Sequence, residues 1–315
     1  MEYNQFVDDV KECLRIKVDD QYEVKVNRVK KNNSVVLDGI VFFKEGDNVS
    51  PNIYLNSYYS RYMDGESMDT IANDILSVYE NSRRRVSEEY KTLDYTFDGM
   101  KDHIVYRLVN YNKNKELLEE VPHVRFLDLA ITFHCLVKQD EEGIGTIRVT
   151  NAHLVEWDCT VKELMQVATN NTKRLFPVRI STMEQVITDL LRKDFSIMYP
   201  EGGCDDAVEE MIAEMVGGMK CKSMYIVSNE LGINGATSIL YQDVLYDLAA
   251  KLETDFYLLP SSIHEVILVP YEEDMSRAEL RSMVKEVNAT QVAVDEVLSD
   301  KVYLYRRDKN RIEME

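Results

Sequence analysis

Val124–Lys138 reads VRFLDLAITFHCLVK, and the chain continues through Asp140-Glu141-Glu142-Gly143 into Ile144–Thr150, IGTIRVT. Apolar and polar residues alternate along the first run, which is the period of a half-buried strand. Leu127, Leu129, Ile131, Phe133, Cys135 and Val137 fall on one side, and Phe126, Asp128, Ala130, Thr132 and His134 on the other. The acidic turn with its glycine brings the second run back alongside, so that Thr146, Arg148 and Thr150 line the polar side. Such a hairpin builds an antiparallel sheet, which can bury one face and keep the other polar.

The same arrangement is expected upstream. A helix over 3–16, with Phe6, Val10, Cys13 and Leu14 at helical spacing, precedes strands Tyr22–Val29 and Val35–Lys44 around the turn Lys31-Asn32-Asn33-Ser34. A long helix follows from Met68 to Tyr90, carrying Ile71, Ile75, Val78 and Tyr79 on one face. In the middle, Met100–Val109 reads as a helix. Thr160…Glu163 and Ser181…Glu184 fit the capping box that opens a helix. The last block reads as strands Met224–Ser228 and Ala236–Leu240, helix Tyr241–Leu252, strand Asp255–Leu259, a helix capped at Ser276, and a final strand Val302–Arg306 before a charged tail.

The fold class is therefore α+β, with mostly antiparallel sheets, helices packed on them, and recurring strand–strand–helix units. Simple alternating βα units are missing, which argues against doubly wound and barrel folds. The expected organisation is an N-terminal α+β domain over 1–97, a central α+β domain over 98–195, a helical connector over 196–223, and a C-terminal α+β domain over 224–315. The connector brackets an acidic helix, DDAVEEMIAEMV, between Gly202-Gly203 and Gly217-Gly218. Met211 and Met215 on its apolar face are candidate partner-binding residues, an adaptable surface; the alternative is a helix packed on the body.

Thirty-seven Lys and Arg stand against 56 Asp and Glu, a net charge of −19. That surface repels phosphate backbones and anionic lipids, so broad nucleic-acid or membrane binding is disfavoured. The start, MEYNQFVDDVKECLRI, lacks the basic and apolar regions of a signal peptide, and a cytoplasmic location is expected. The cysteines, Cys13, Cys135, Cys159, Cys204 and Cys221, are widely spaced and form no CxxC pair, which suits free thiols in a reducing compartment.

No phosphate-binding loop, dinucleotide fingerprint, zinc-protease helix, nucleophile elbow or calcium loop is present, so no cofactor and no metal are expected. Asp128, His134, Thr132 and Arg148 share the polar side of the opening strand pair. An acid, an imidazole, a hydroxyl and a guanidinium on one sheet face could hold a small anion or move a proton. Asp128 and His134 are about 20 Å apart along a regular strand, too far to touch. The bland alternative is a polar face turned to solvent or a helix. Tyr54, Tyr58, Tyr59 and Tyr62 around Arg61 read as a packing edge, and Arg83-Arg84-Arg85 as a solvated helix face.

His264 lies in LLPSSIHEVILVPYEED, Leu258–Asp274. As a strand, the segment puts His264 and Glu265 on opposite faces. As a corner, Ser262…Glu265 is another capping box ahead of a strand Val266–Pro270. Neither geometry builds a Ser–His–Glu triad, and His264 stays open as a catalytic candidate beside Asp128 and His134.

SPNIYLNSYYSRY, RLVNYNKNKELLEEVPHVRFLDLAITF, TIRVTNAHLVEW, ATSILY, FYLLPSSIHEVILVPY, MVKEVNATQV and EVLSDKVYLY occur in this order. Together, from about Val24 to Tyr305, they resemble a domain-of-unknown-function family of uncharacterised proteins common in anaerobic Gram-positive bacteria. The resemblance implies a cytoplasmic bacterial protein and carries no activity, ligand or catalytic residue. Three functions follow for test: a non-enzymatic interaction or regulatory module with a protein partner; a small-molecule binder or enzyme using Asp128, His134 and Arg148, or His264; and an acidic DNA mimic or defence-related inhibitor.

Overall fold

The computed structural model describes residues 2–45, 50–86, 94–140, 143–198, 206–217, 224–273 and 275–314. Its contacts divide the chain into two units, Met1–Lys101 and Asp102–Glu315. Cys204, Cys221, Gly202, Gly203, Gly218, the Glu141-Glu142 turn and the Arg83-Arg84-Arg85 side chains lie outside the described residues.

In the first unit, α1 (Tyr3–Lys17) precedes a three-stranded antiparallel sheet of β1 (Tyr22–Lys30), β2 (Val36–Lys44) and β3 (Ile53–Tyr54). Then come α2 (Asn56–Met63), α3 (Met68–Val86) and the short α4 (Phe97–Met100). Apolar residues at helical spacing explain the packing: Phe6, Val10 and Leu14 of α1 and Ile71 and Ile75 of α3 share one core with Ile40 and Phe42 of β2. Arg61 is held by Glu66 and Asp74, at 2.6 and 2.5 Å. Its aromatic neighbours pack inward, Tyr59 on Tyr3 and Tyr62 on Phe6, with centroids 5.1 and 5.4 Å apart.

The second unit holds two antiparallel sheets. The four-stranded one is built from β4 (Ile104–Asn110), β5 (His123–Phe126), β6 (Leu129–Asp140) and β7 (Gly143–Arg148), with α5 (Lys115–Glu120) between β4 and β5. β6 runs through the middle: β4 pairs along one side, and β5 and then β7 along the other. Helices α6 (Asn151–Glu156) and α7 (Val161–Leu175) follow. β4 is an edge strand, and α7 covers it. Thr172 Oγ1 accepts from Tyr106 N at 3.0 Å, and Asn171 Nδ2 donates to Ile104 O at 3.0 Å. Two helix side chains thus satisfy backbone groups that an edge would leave open.

The six-stranded sheet contains β8 (Val178–Thr182), β9 (Tyr225–Asn229), β10 (Phe256–Leu259), β11 (Val266–Pro270), β12 (Tyr303–Arg306) and β13 (Arg311–Met314), in the order β13-β12-β10-β11-β9-β8. Between β8 and β9 the chain makes α8 (Met183–Met198) and α9 (Asp206–Gly217), which pack on each other. Thr182 pairs with Tyr225, and Met183 N donates to Met224 O at 2.9 Å, so this excursion begins and ends at one point. The β8–β9 pairing crosses the expected 196–223 boundary and places both flanks in one sheet. Helices α10 (Val244–Leu252) and α11 (Arg277–Thr290) complete the unit. Among the described residues no helix is long and apolar enough to cross a membrane.

The α+β class and the antiparallel sheets are as expected. Several elements differ. Residues 104–110 form strand β4, not a helix, because their pairing with β6 buries Ile104, Tyr106 and Leu108 on one side and Val105 on the other. Gly235–Leu240 is a buried 3-10 turn, not a strand. The expected strand Val124–Lys138 is a hairpin: β5 and β6 meet at Leu127-Asp128, where Leu127 takes a left-handed φ of 55°. The box at α8 sits one residue later than expected, Thr182 with Gln185 in place of Ser181 with Glu184. The box Thr160–Glu163 is reciprocal, with both bonds formed.

Candidate functional site

Residues opposite one another in a sheet share a face. Thr132 of β6 lies between Arg107 of β4 and His123 of β5, and His134 lies between Val105 of β4 and Arg148 of β7. The Arg107 guanidinium donates to Thr146 Oγ1 of β7 at 3.0 Å. β4 and β7 flank β6 on opposite sides, so the Arg107 side chain must lie across β6, over the His134 position. Thr132 and His134 form a buried floor, 2% and 7% exposed, with Thr132 Oγ1 3.4 Å from His134 Nε2. Arg107, Thr146 and Arg148 make a half-buried rim.

Burial lowers the His134 pKa well below the ordinary histidine value, and the charges of Arg107 and Arg148 lower it further. Burial also pushes Arg107 down to about 10, with Arg148 adding to the effect. Arg107 has no carboxylate partner among the described residues. Two guanidiniums, two hydroxyls and an uncharged imidazole can receive an anion. A histidine held so far below neutrality is a weak proton acceptor, so the geometry favours binding over general-base chemistry.

Asp128 does not belong to this face, contrary to the expectation from alternation. It sits in the β5–β6 turn, where Ser299 Oγ donates to Oδ2 at 2.8 Å and Tyr303 Oη to Oδ1 at 2.5 Å. Its own backbone oxygen accepts from Tyr111 N at 3.0 Å. The carboxylate fastens the four-stranded sheet to the start of β12 and is occupied in doing so.

His264 is likewise occupied. Its Nδ1 accepts from Asn234 N at 3.3 Å, which places the proton on Nε2, 3.2 Å from Glu296 Oε1. The capping box expected at Ser262…Glu265 does not form. Ser262 Oγ accepts from His264 N at 3.0 Å, and Ser262 bridges to Val297. Segment 260–263 pairs with 296–299, through Ser299 N to Pro260 O, Leu298 N to Ser261 O and Ile263 N to Glu296 O. No helical turn opens here because the backbone is already paired as an extended edge.

On α9, Ile212 is buried, while Met211 and Met215 are 42% and 45% exposed. Arg192 of α8 grips Glu209 through two bonds of 2.8 and 2.7 Å. At 100° per residue, Met211 and Met215 lie on the side of α9 turned away from Glu209 and α8. Cys13, Cys135 and Cys159 are free thiols, and burial pushes Cys135 up to about 12. Among the described residues no group of His, Cys, Asp or Glu could hold a metal ion.

A family model matches residues 3–307. The chain belongs to DUF5688, a family of unknown function. No curated protein and no solved structure matches it. For this DUF5688 chain the site is therefore read from its own geometry. That geometry joins Thr132, His134 and Arg148, removes Asp128 and His264, and adds Arg107 and Thr146. Thr146 was visible on the polar side of the hairpin. Arg107 was hidden, because a residue assigned to a helix has no place on a sheet face.

Proposed function

We propose that this protein is a non-enzymatic binding module that takes a small dianion, a phosphate or dicarboxylate, on the β4–β6–β7 face. The observation that carries the reading is Arg107. A half-buried guanidinium beside a second arginine, without a carboxylate among the described residues, is an unneutralised charge in a chain of net charge −19. Buried charges are ordinarily paired, and an anion on Arg107, with Thr132 and Thr146 as hydroxyl donors and the positive charge of Arg148 nearby, would complete the pairing of Arg107. Isothermal titration with inorganic phosphate and with malonate tests this. The expected result is binding by wild type that weakens at least tenfold in Arg107→Met and falls with added salt. Absence of binding by both anions, or equal binding to the variant, overturns the reading.

A second reading, a protein-docking module, is supported by the exposed Met211 and Met215 on the outer side of α9. A native partner should lose affinity for Met211→Ser/Met215→Ser while phosphate binding persists. For setting, we take the protein to be bacterial and cytoplasmic, with the free thiols Cys13, Cys135 and Cys159 supporting a reducing compartment.

A further inference from the structure

Tyr106 precedes Arg107 on β4 and so emerges on the opposite face of the four-stranded sheet. There it lines a cleft of about 880 Å³ enclosed by α7 and the segment Leu240–Asp243, a size typical of small-molecule sites. Tyr106 is 2% exposed, and its hydroxyl has no hydrogen-bond partner among the described residues. Buried tyrosine hydroxyls are ordinarily bonded. The neighbouring Tyr241 shows the ordinary case, donating to Thr172 O at 3.2 Å and Phe176 O at 2.9 Å. Burial, with Tyr241 close by, raises the Tyr106 pKa, so its proton remains in place to be donated.

The other polar groups of the cleft sort by what they already do. Lys173 Nζ meets Asp243 Oδ2 at 2.5 Å, which cancels the two charges. Thr169 Oγ1 donates to Met165 O, and Arg174 Nη2 to Asp102 O. The Asn170 and Gln242 carboxamides stand exposed at the rim, and Met165 and Leu240 supply apolar wall. Arg174 is a cation of the exposed rim, whereas a carboxylate taken down to the buried Tyr106 hydroxyl would find that one hydroxyl for a full charge, too little to replace its water. A neutral carbonyl needs one donor.

We propose that this cleft binds a small uncharged molecule of nucleobase-like polarity, whose carbonyl oxygen accepts from Tyr106 and whose amide edge meets Asn170 and Gln242. The proposal is independent of the anion-binding face, which lies on the other side of β4.

The test uses uracil and nicotinamide as probes, with wild type, Tyr106→Phe and the surface variant Gln242→Ala. Removing an unpartnered hydroxyl should leave the melting temperature of Tyr106→Phe equal to or above that of wild type. At least one probe should bind wild type by titration calorimetry, and bind each variant about tenfold more weakly. A lower melting temperature for Tyr106→Phe, binding by neither probe, or equal affinity for wild type and Tyr106→Phe each overturns the proposal.

Discussion

The Tyr303 hydroxyl donates to Asp128 Oδ1 at 2.5 Å across 175 residues of chain, and both partners are buried. Ser299 Oγ shares the same carboxylate and itself accepts from Lys301 N at 2.9 Å. Asp128→Ala leaves two buried hydroxyls without an acceptor, at about 1–3 kcal/mol each. We expect urea denaturation to show a loss of about 3 kcal/mol, with Tyr303→Phe losing about half as much. A loss under about 0.5 kcal/mol for Asp128→Ala would mean that this carboxylate does not hold the β5–β6 turn to β12.

His134 makes stability depend on pH in a defined direction. Its folded-state pKa lies well below the ordinary value near 6.5, because of burial first and Arg107 and Arg148 next. Above pH ~6.5 neither state binds the proton, and the folded protein carries no penalty. As pH falls below ~6.5 the unfolded chain takes up a proton that the folded one refuses, so stability is lost, at up to about 1.4 kcal/mol per pH unit. Denaturation curves between pH 5 and 8 should show this loss, and His134→Gln should flatten it. An unchanged slope in the variant would place the titration elsewhere.

The corner around His264 is a packing device. Gly235 lies within it, and a Cβ there would stand 2.5 Å from His264 O, 2.7 Å from Asn229 N and 2.1 Å from Ser228 Oγ. Two of those atoms are backbone and cannot rotate away. Gly235→Ala should therefore destabilise by about 1–3 kcal/mol in thermal unfolding. His264→Ala should cost about 1–2 kcal/mol by freeing Asn234 N and Glu296. If His264→Ala kept full stability yet abolished a measured activity, the imidazole would be functional after all.

Arg107→Met should behave unlike an ordinary core substitution. It removes a desolvated charge that has a like-charged neighbour and no acidic partner among the described residues. In anion-free buffer its stability should equal or exceed that of wild type, in line with the weak net value of buried charge. Phosphate should raise the melting temperature of wild type only. A variant destabilised by more than about 2 kcal/mol without anion would show that Arg107 is already compensated.

Parts of this architecture were legible because residue pattern and tertiary environment agree. β6 alternates from Leu129 to Cys135, and α7 opens with a threonine and glutamate at capping distance. The failures have specific causes. Leu127 makes the β5–β6 turn without a glycine or asparagine to mark it, so two strands read as one and the alternation carries Asp128 to the wrong surface. β4 carries apolar residues on both faces, which erases its period and left Arg107 invisible. At α8, Ser181 and Thr182 both precede an acid or amide at the right spacing, and local pattern cannot choose between them. The environment of His264 is not local, since its partners Asn234 and Glu296 are distant in sequence.

The closure of β8 on β9 gives this chain a detachable part. Thr182 and Tyr225 are paired neighbours, so residues 183–224 leave the sheet and return to the place they left. A short turn joining those two residues would keep every strand of the six-stranded sheet in register. Helices α8 and α9 are thus a cassette hung on a hairpin. Their removal would subtract two helices and none of the ten strands of the second unit.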